Sequence, residues 1–276
     1  MSVGTEWLEQ LERHFPRRAV PRIRRLHLPP SFATGKNAEF CALELDDGAL
    51  GLSFILLAGQ EFSVSPDAAR DLVGADALAA ARWYVTERGV RRTIGFAAIN
   101  ALTRCAYDRA GHVPPTSDDS IGGLAPACGD RIGMIGLFPP LVDSIVRTGA
   151  SLVVVELRPD LAGERAGYRV TLDAGQLEGC NKVLSTSTLL LNDSLDRMLA
   201  HCRGAQRFAM IGPGAGGFPD PLFARGITTL GGAWIEDPEG FKAALAAGTP
   251  WGRHARKFAI HREAWVPIAP GRAGLW

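Results

Sequence analysis

Two patterns of apolar and polar residues divide the chain into a first and a second half. In the first half, three strand-like runs follow one another directly, and helical patterns come after them. Asp46, Asp47 and Gly48 separate the last two runs, as in a β-hairpin turn. A strand meander followed by helices predicts an α+β unit. The predicted elements are a helix over 6–15, strands over 19–28, 38–45 and 49–57, and helices over 67–87 (weakened at Gly74) and 91–107.

In the second half, strand-like runs alternate with helical patterns. The run LVVVEL over 152–157 is typical of a strand that is buried on both faces of a parallel sheet. Strands and helices in alternation predict an α/β unit of the Rossmann-like type with a mainly parallel sheet. The predicted strands are 131–135, 152–157, 182–185, 208–211 and 227–230, and the predicted helices are 139–147, 192–202 and 238–247.

Residues 108–129, between the two halves, are rich in Pro, Gly, Ser and Asp and keep no period. Such a composition is typical of a linker or a mobile loop. We therefore predict an α+β domain over 1–110, a linker over 111–128 and a Rossmann-like domain over 129–276.

Charge and composition exclude several classes of function. A net charge of +1 gives no electrostatic reason to expect nucleic acid or an anionic membrane as a partner, and the basic cluster over 17–25 lacks interleaved aromatic residues. The N-terminus does not resemble a signal peptide, and no apolar run approaches the roughly 18 residues of a membrane span. The five cysteines are widely spaced, so we expect reduced thiols and a cytoplasmic location.

The residues that follow each predicted strand of the second half are the candidates for a ligand site, because ligands of doubly wound sheets bind beyond the carboxyl ends of the strands. Glycines there allow close approach, and hydroxyl and amide groups can form hydrogen bonds. The candidates are Gly133, Gly136 and Phe138 in the first loop, Glu156 and Arg158 in the second, Thr186, Ser187, Thr188 and Asn192 in the third, and Gly212, Pro213 and Gly214 in the fourth.

Each of these loops also has a plain structural interpretation. Pro139 or Pro140 suits the first position of a helix, whose open N–H groups could hold an anion, but GMIGLFPP is not a GxGxxG motif. Glu156 follows Gly136 at about the 20-residue spacing of a ribose-binding carboxylate, or it pairs with Arg158. Asn192 binds a ligand or caps the helix that follows it.

Glu156 is our candidate for charge or proton handling. We expect Glu156→Ala to remove ligand binding at little cost in stability. Across the proposed cleft, the helix over 91–107 carries Phe96 and Asn100 on a second face that lacks charge. A face of this kind is expected to be covered by the other domain, where Asn100 would orient a ligand.

Metal motifs are absent from the sequence. It contains no CxxC, no HExxH and no pair of histidines four residues apart, and each histidine is more easily explained as structural.

Five segments in register resemble the DUF364 family, which is associated with heavy-metal chelation, preceded by its DUF4213 partner domain. They are IGFAAINAL (94–102), GDRIGMIGLFPPLV (129–142), VVVELRP (153–159), STSTLLLNDSLDRML (185–199) and IGPGAGGFPDPLFARGI (211–227). The resemblance implies an enolase-N-terminal-like α+β domain, a Rossmann-like domain and a cleft between them. Two positions depart from the family pattern: Ser185–Thr188 replace a Thr-Gly-Thr segment, and Gly214 stands where Ser or Ala is usual.

Three hypotheses of function follow. The first is a small-molecule protein that handles a metal or a metal-chelating metabolite in the interdomain cleft. The second is an enzyme that uses a nucleotide-like cofactor in a degenerate Rossmann pocket, and the third is a binding or scaffold protein without catalysis. The sequence leaves open whether the cofactor is a divalent metal ion or a nucleotide-like ligand. It also leaves open the reaction and whether the protein forms a homo-oligomer.

The scattered cysteines generate the first testable prediction. Treatment of the purified protein with EDTA should leave its circular dichroism and its thermal unfolding unchanged, because no Cys/His cage is expected to support the fold. Stoichiometric zinc in the purified protein, together with unfolding on chelation, would contradict this prediction.

Overall fold

The computed structural model describes residues 1–16, 19–55 and 62–270. Its first half is a three-stranded antiparallel sheet, in the order β1-β2-β3, covered by helices. The hairpin turn at Asp46–Gly48 is present, and Gly48 adopts a φ of 90° there. The elements of this half are α1 (Val3–His14), β1 (Ile23–His27), β2 (Phe40–Leu45), β3 (Leu50–Phe54), α2 (Pro66–Asp71), α3 (Ala77–Thr86) and α4 (Gly89–Arg109).

The helix α4 lies directly on the sheet because Gly51 of β3 has no side chain. A Cβ atom at Gly51 would lie 2.1 Å from the backbone nitrogen of Ala101. Both faces of α4 are covered, as its uncharged second face predicts, and Phe96 and Asn100 are buried.

The second half is built on a larger sheet, which has eight strands among the described residues. Its order is β11-β10-β9-β8-β4-β5-β7-β6, and only the two edge strands run antiparallel to their neighbours. The predicted fold class, an α+β unit followed by an α/β unit with a mainly parallel sheet, is confirmed. The strands are β4 (Arg131–Ile135), β5 (Ser151–Val155), β6 (Gly163–Arg165), β7 (Tyr168–Thr171), β8 (Lys182–Thr186), β9 (Arg207–Ile211), β10 (Thr229–Ile235) and β11 (Ala255–His261), and the helices are α5 (Pro139–Val146), α6 (Leu195–His201), α7 (Asp220–Phe223) and α8 (Pro238–Ala247).

Several predicted boundaries were wrong for identifiable reasons. The strand predicted over 19–28 begins only at Ile23, after Pro21, which has no N–H to donate to a ladder. The helix predicted over 67–87 is two helices, separated by Gly74 in a left-handed conformation. Residues 56–57 of the third predicted strand, and residues 17–18 of the basic cluster, lie outside the described residues.

The segment between the halves packs against the second half. The backbone N–H of Ser117 donates to the carbonyl of Lys257 on β11, and Leu124 is buried beneath the sheet. The domain limits given from the sequence, 1–110, 111–128 and 129–276, stay a prediction.

One hydrophobic core contains residues of both halves. Trp7 of α1 is fully buried in it and donates from Nε1 to the carbonyl of Phe218, at 2.7 Å. The amide nitrogen of Asn100 donates to the carbonyls of Leu52 (2.7 Å) and Gly214 (2.9 Å), which lie in different halves. The carbonyls of Phe218 and Gly214 are thus paired across the seam, whereas Oδ1 of Asn100 has no hydrogen-bond partner among the described residues.

A buried charge cluster also joins the halves. Glu44 of β2 contacts His27 of β1 (Oε2 to Nε2, 2.8 Å) and Lys242 of α8 (Oε1 to Nζ, 3.0 Å). Burial raises the pKa of Glu44, but hydrogen bonds with His27 and Lys242 outweigh that effect and hold the pKa below its ordinary value. Burial lowers the pKa of His27, despite its hydrogen bond with Glu44.

Among the described residues, no helix combines the length and the apolar character that crossing a bilayer requires.

The charge cluster predicts how stability depends on pH. The folded protein binds fewer protons than the unfolded chain, because both the His27 and the Glu44 pKa are lowered on folding. The free energy of unfolding should therefore fall as the pH drops below about 6.5, first through His27 and then through Glu44.

Urea unfolding of wild type and His27→Gln over a pH series tests this. We expect the variant to lose on the order of 1 kcal/mol less between pH 6.5 and pH 5 than the wild type does. Parallel pH profiles for the two proteins would show that His27 does not contribute.

Candidate functional site

A cavity of about 1060 Å³ opens at the carboxyl edge of the large sheet. It lies over the ends of β4 and β8, where the chain order reverses, since β5 and β8 flank β4 on opposite sides. Open α/β sheets bind their ligands at such a topological switch point. Residues of the first half, including Phe40 and Phe54, form part of its wall.

Most of the predicted site residues line this one cavity. They are Gly136, Phe138, Glu156, Arg158, Thr186, Ser187, Thr188, Asn192, Gly212 and Pro213. Residues of all four predicted loops thus line one cavity, and their role in binding stays a prediction.

Three predicted site residues lie elsewhere. Asn100 is held in the seam by its two carbonyl partners and does not line the cavity. Gly133 lies within β4, where a Cβ atom would contact Leu177 at 2.7 Å. Gly214 offers its carbonyl to Asn100. Gly133 is used for packing, Asn100 and Gly214 are bonded to each other, and none of the three lines the cavity.

The carboxylate of Glu156 joins two of the loops. Its Oε1 accepts from the backbone N–H of Leu137 at 2.7 Å, and its Oε2 accepts from that of Leu157 at 2.9 Å. The alternative pairing with Arg158 is not formed, because Arg158 binds Asp160 instead. Glu156 lines the cavity while it fixes the first loop to the end of β5.

The N-terminus of α5 has no N–H group available for an anion, contrary to the expectation from sequence. Pro139 and Pro140 occupy its first two positions and carry no N–H. The next two donors, Leu141 and Val142, both bond to the carbonyl of Phe138. A pyrophosphate therefore lacks the donors that a dinucleotide fold supplies at this place.

The third loop is shaped by its own hydroxyl and amide groups. The Oγ1 atoms of Thr186 and Thr188 lie 3.1 Å apart, and Thr186 Oγ1 also accepts from the backbone N–H of Thr188. Asn192 Oδ1 accepts from both the backbone N–H and the hydroxyl of Ser194. The Asn192 side chain thus caps the turn before α6, in agreement with the structural alternative, and also lines the cavity.

The first half holds this loop in place. Asp193 adopts a left-handed backbone with a φ of 57°, which is uncommon outside glycine. Arg92 of α4 pairs with Asp193 (Nη1 to Oδ1, 2.6 Å), and Tyr84 of α3 donates its hydroxyl to the carbonyl of Leu190. These contacts couple the conformation of the loop to the docking of the two halves.

Gly212 brings the fourth loop against the third. With a φ of 150°, it places its backbone so close to Ser187 that a Cβ atom would lie 2.2 Å from the Ser187 Oγ. Only glycine allows the two loops to meet in this way.

Several residues that line the cavity were not predicted from the sequence. Arg197 and His201 lie on α6, and the loop over 172–175 follows β7, a four-residue strand that was not predicted. Phe40 and Phe54 were assigned to strands, but the alternation of apolar and polar residues along a strand does not tell which of them faces a cavity. The turn-forming residues Asp173 and Gly175, which follow Val170 and Thr171, were the one available signal.

A resident heavy metal does not fit the side chains of the described residues. Among them, no group of three or more His, Cys, Asp or Glu is placed to hold a metal ion. Burial raises the pKa of Cys41 and of Cys202 to about 12, and neither thiol belongs to a group of metal-binding side chains among the described residues.

The bonding of Glu156 generates a prediction about stability that differs from the sequence expectation. Glu156→Ala removes the acceptor of two backbone N–H groups and should lower the free energy of unfolding by about 1–2 kcal/mol. Glu156→Gln, which keeps one acceptor oxygen, should lose less. Chemical denaturation measures this, with Glu9→Ala on an exposed face of α1 as the control. A Glu156→Ala protein as stable as Glu9→Ala would contradict the structural role of this carboxylate.

Two solved structures share this fold over nearly the whole chain. The first is a DUF364 protein of unknown function from Desulfitobacterium hafniense DCB-2, with a TM-score of 0.71, 21% identity, and coverage of 94% of this chain and 98% of that chain. The second, from Pyrococcus horikoshii, has a TM-score of 0.67, 20% identity, and coverage of 94% and 97%. A search of the curated proteins found no match.

Family models match both halves. The DUF4213 model, described as "Putative heavy-metal chelation", matches residues 38–103. The DUF364 model, with the same description, matches residues 123–263, which is more than half of the chain and includes all four loops at the sheet edge. The resemblance inferred from the sequence is confirmed: this chain belongs to the DUF364 family.

Proposed function

We propose that this protein binds a small organic molecule in the cavity between its two halves, and that any metal ion involved enters as a complex of that molecule. The observation that carries the proposal is the cavity of about 1060 Å³ at the switch point of the sheet, lined by four loops. A volume of that order is the usual size of a small-molecule site.

The lining combines apolar and hydrogen-bonding surfaces, as organic ligands require. Phe40 and Phe54 of the first half and Phe138 and Phe258 of the second supply aromatic surface. The hydroxyl groups of the third loop supply polar contacts. A bare ion needs neither aromatic walls nor so large a space, so the lining supports an organic ligand.

The family description of heavy-metal chelation is compatible with this proposal if the metal ion is bound by the organic ligand. The described side chains do not form a donor set for a metal ion. In a metal complex, however, the organic chelator provides the donor atoms, and the protein recognises the chelator. We therefore read the description as the handling of a chelated metal.

The two other hypotheses receive less support. A nucleotide cofactor lacks its phosphate donors at α5, and both oxygens of Glu156 are bonded to backbone N–H groups. A purely structural seam would leave no open space of this size, because protein interiors are close-packed. The cytoplasmic location stays a prediction, and the structure does not decide between a monomer and a homo-oligomer.

Ligand capture tests the proposed function. The protein is incubated with a small-molecule extract of cells and washed, and the retained compounds are identified by mass spectrometry. Thr188→Trp places an indole at the cavity wall and should reduce retention by about tenfold or more. Thr86→Trp is the matched control, on an exposed position of α3 outside the cavity lining.

Equal retention by wild type, Thr86→Trp and Thr188→Trp would place any binding outside the cavity. Retention of a metal ion without an organic compound, sensitive to Thr188→Trp, would favour direct metal binding and contradict the proposal.

A further inference from the structure

We infer that the cavity wall formed by Ser187, Asn192 and Arg197 is a carboxylate-binding subsite, so that the ligand is an organic acid. This inference rests on the proposed function, since it concerns the chemistry of the same cavity. It depends on which polar atoms of the lining are already bonded and which are open.

The open polar atoms on this wall are donors. Ser187 is 7% exposed, lines the cavity, and its Oγ has no hydrogen-bond partner among the described residues. The oxygen of the Asn192 amide is fixed by Ser194, so its nitrogen remains free to donate. Arg197 is exposed, lines the same cavity, and forms no ion pair within the described part of the chain.

The carboxylates of the second-half wall, in contrast, are already bonded. Glu156 accepts from two backbone N–H groups. Asp173 accepts from the N–H of Gly175 at 2.9 Å and from the side chain of Gln176 at 3.2 Å. Asp119, in the segment between the halves, accepts from the N–H groups of Ile121 and Gly123.

Glu39 is the exception on the opposite wall. It has no hydrogen bond from its side chain among the described residues, and Lys36, which lies one helical turn before it, lines the cavity beside it. The α6 side of the cavity therefore presents donors and needs acceptors from a ligand.

A carboxylate satisfies these donors better than a phosphate does. The planar guanidinium of Arg197 suits two carboxylate oxygens in a bidentate contact. A phosphate dianion would find none of the N–H donors that a helix N-terminus usually supplies to it, because Pro139 and Pro140 occupy the start of α5. Organic acids are also efficient metal chelators through the same oxygen atoms.

The subsite is tested by calorimetric titration of the full chain with citrate, succinate and phthalate, and with trimethyl citrate, the uncharged ester, as the matched probe. We expect at least one of the three carboxylates to bind. If citrate binds, trimethyl citrate should bind about tenfold more weakly than citrate or not at all, because the ester cannot form the charge-assisted hydrogen bonds.

Variants locate the binding. Arg197→Gln should weaken carboxylate binding by about tenfold, and Ser187→Ala should weaken it several-fold. Arg203→Gln, an exposed arginine just after α6 that does not line the cavity, should bind as the wild type does. Thermal melting of each variant confirms that it is folded.

Three results would overturn the inference: no binding of any of the three carboxylates at millimolar concentration, binding that is unchanged in Arg197→Gln, or inorganic phosphate binding more tightly than every carboxylate. If the capture experiment still retains neutral compounds in a Thr188→Trp-sensitive way, only the carboxylate subsite fails. If nothing is retained either, the proposed function fails as well.

Discussion

Backbone carbonyl groups buried between two packed units must find hydrogen-bond donors, and here the donors are side chains of the first half. Trp7 donates to Phe218, Tyr84 to Leu190, Asn100 to Gly214 and Arg104 to Ile235, each time to a carbonyl of the second half. An unpaired buried carbonyl costs on the order of 1–3 kcal/mol. The directional hydrogen bonds therefore fix the relative position of the halves, together with the burial of apolar side chains.

This constraint also determines the shape of the candidate site. Leu190 and Gly214 belong to the loops after β8 and β9, so the side chains that pair with their carbonyls also set the course of these loops. Arg92 of the first half also pairs with the carboxylate of Asp193, whose backbone is left-handed. The cavity is consequently a product of both halves, although most of its polar groups come from the second.

Sequence patterns predicted the parts of this structure that depend on local order. Continuous apolar runs identified β4, β5, β8 and β9, and the residues after them line the cavity. The edge strands β6 and β11 were missed because short or mixed runs such as GER and ARKFAIH have no distinct period. The hydrogen bonds of Glu156 and Asn100 depend on which backbone groups the tertiary fold brings near them, and no spacing along the chain reveals that. The uncharged face of α4 did predict that Asn100 is covered, but not by which groups.

The two ends of the large sheet are closed in different ways. Along β11, residues of the segment between the two halves form an isolated bridge: Ala259 donates to the carbonyl of Pro115, and Ser117 donates to that of Lys257. At the other end, β6 has only three residues, and Glu164 of β6 pairs with Arg169 of β7. Short, charged or covered edges do not recruit a further strand. Among the described residues, one edge of the large sheet is partly covered and the other is short and charged, and neither favours the addition of a strand from a second copy.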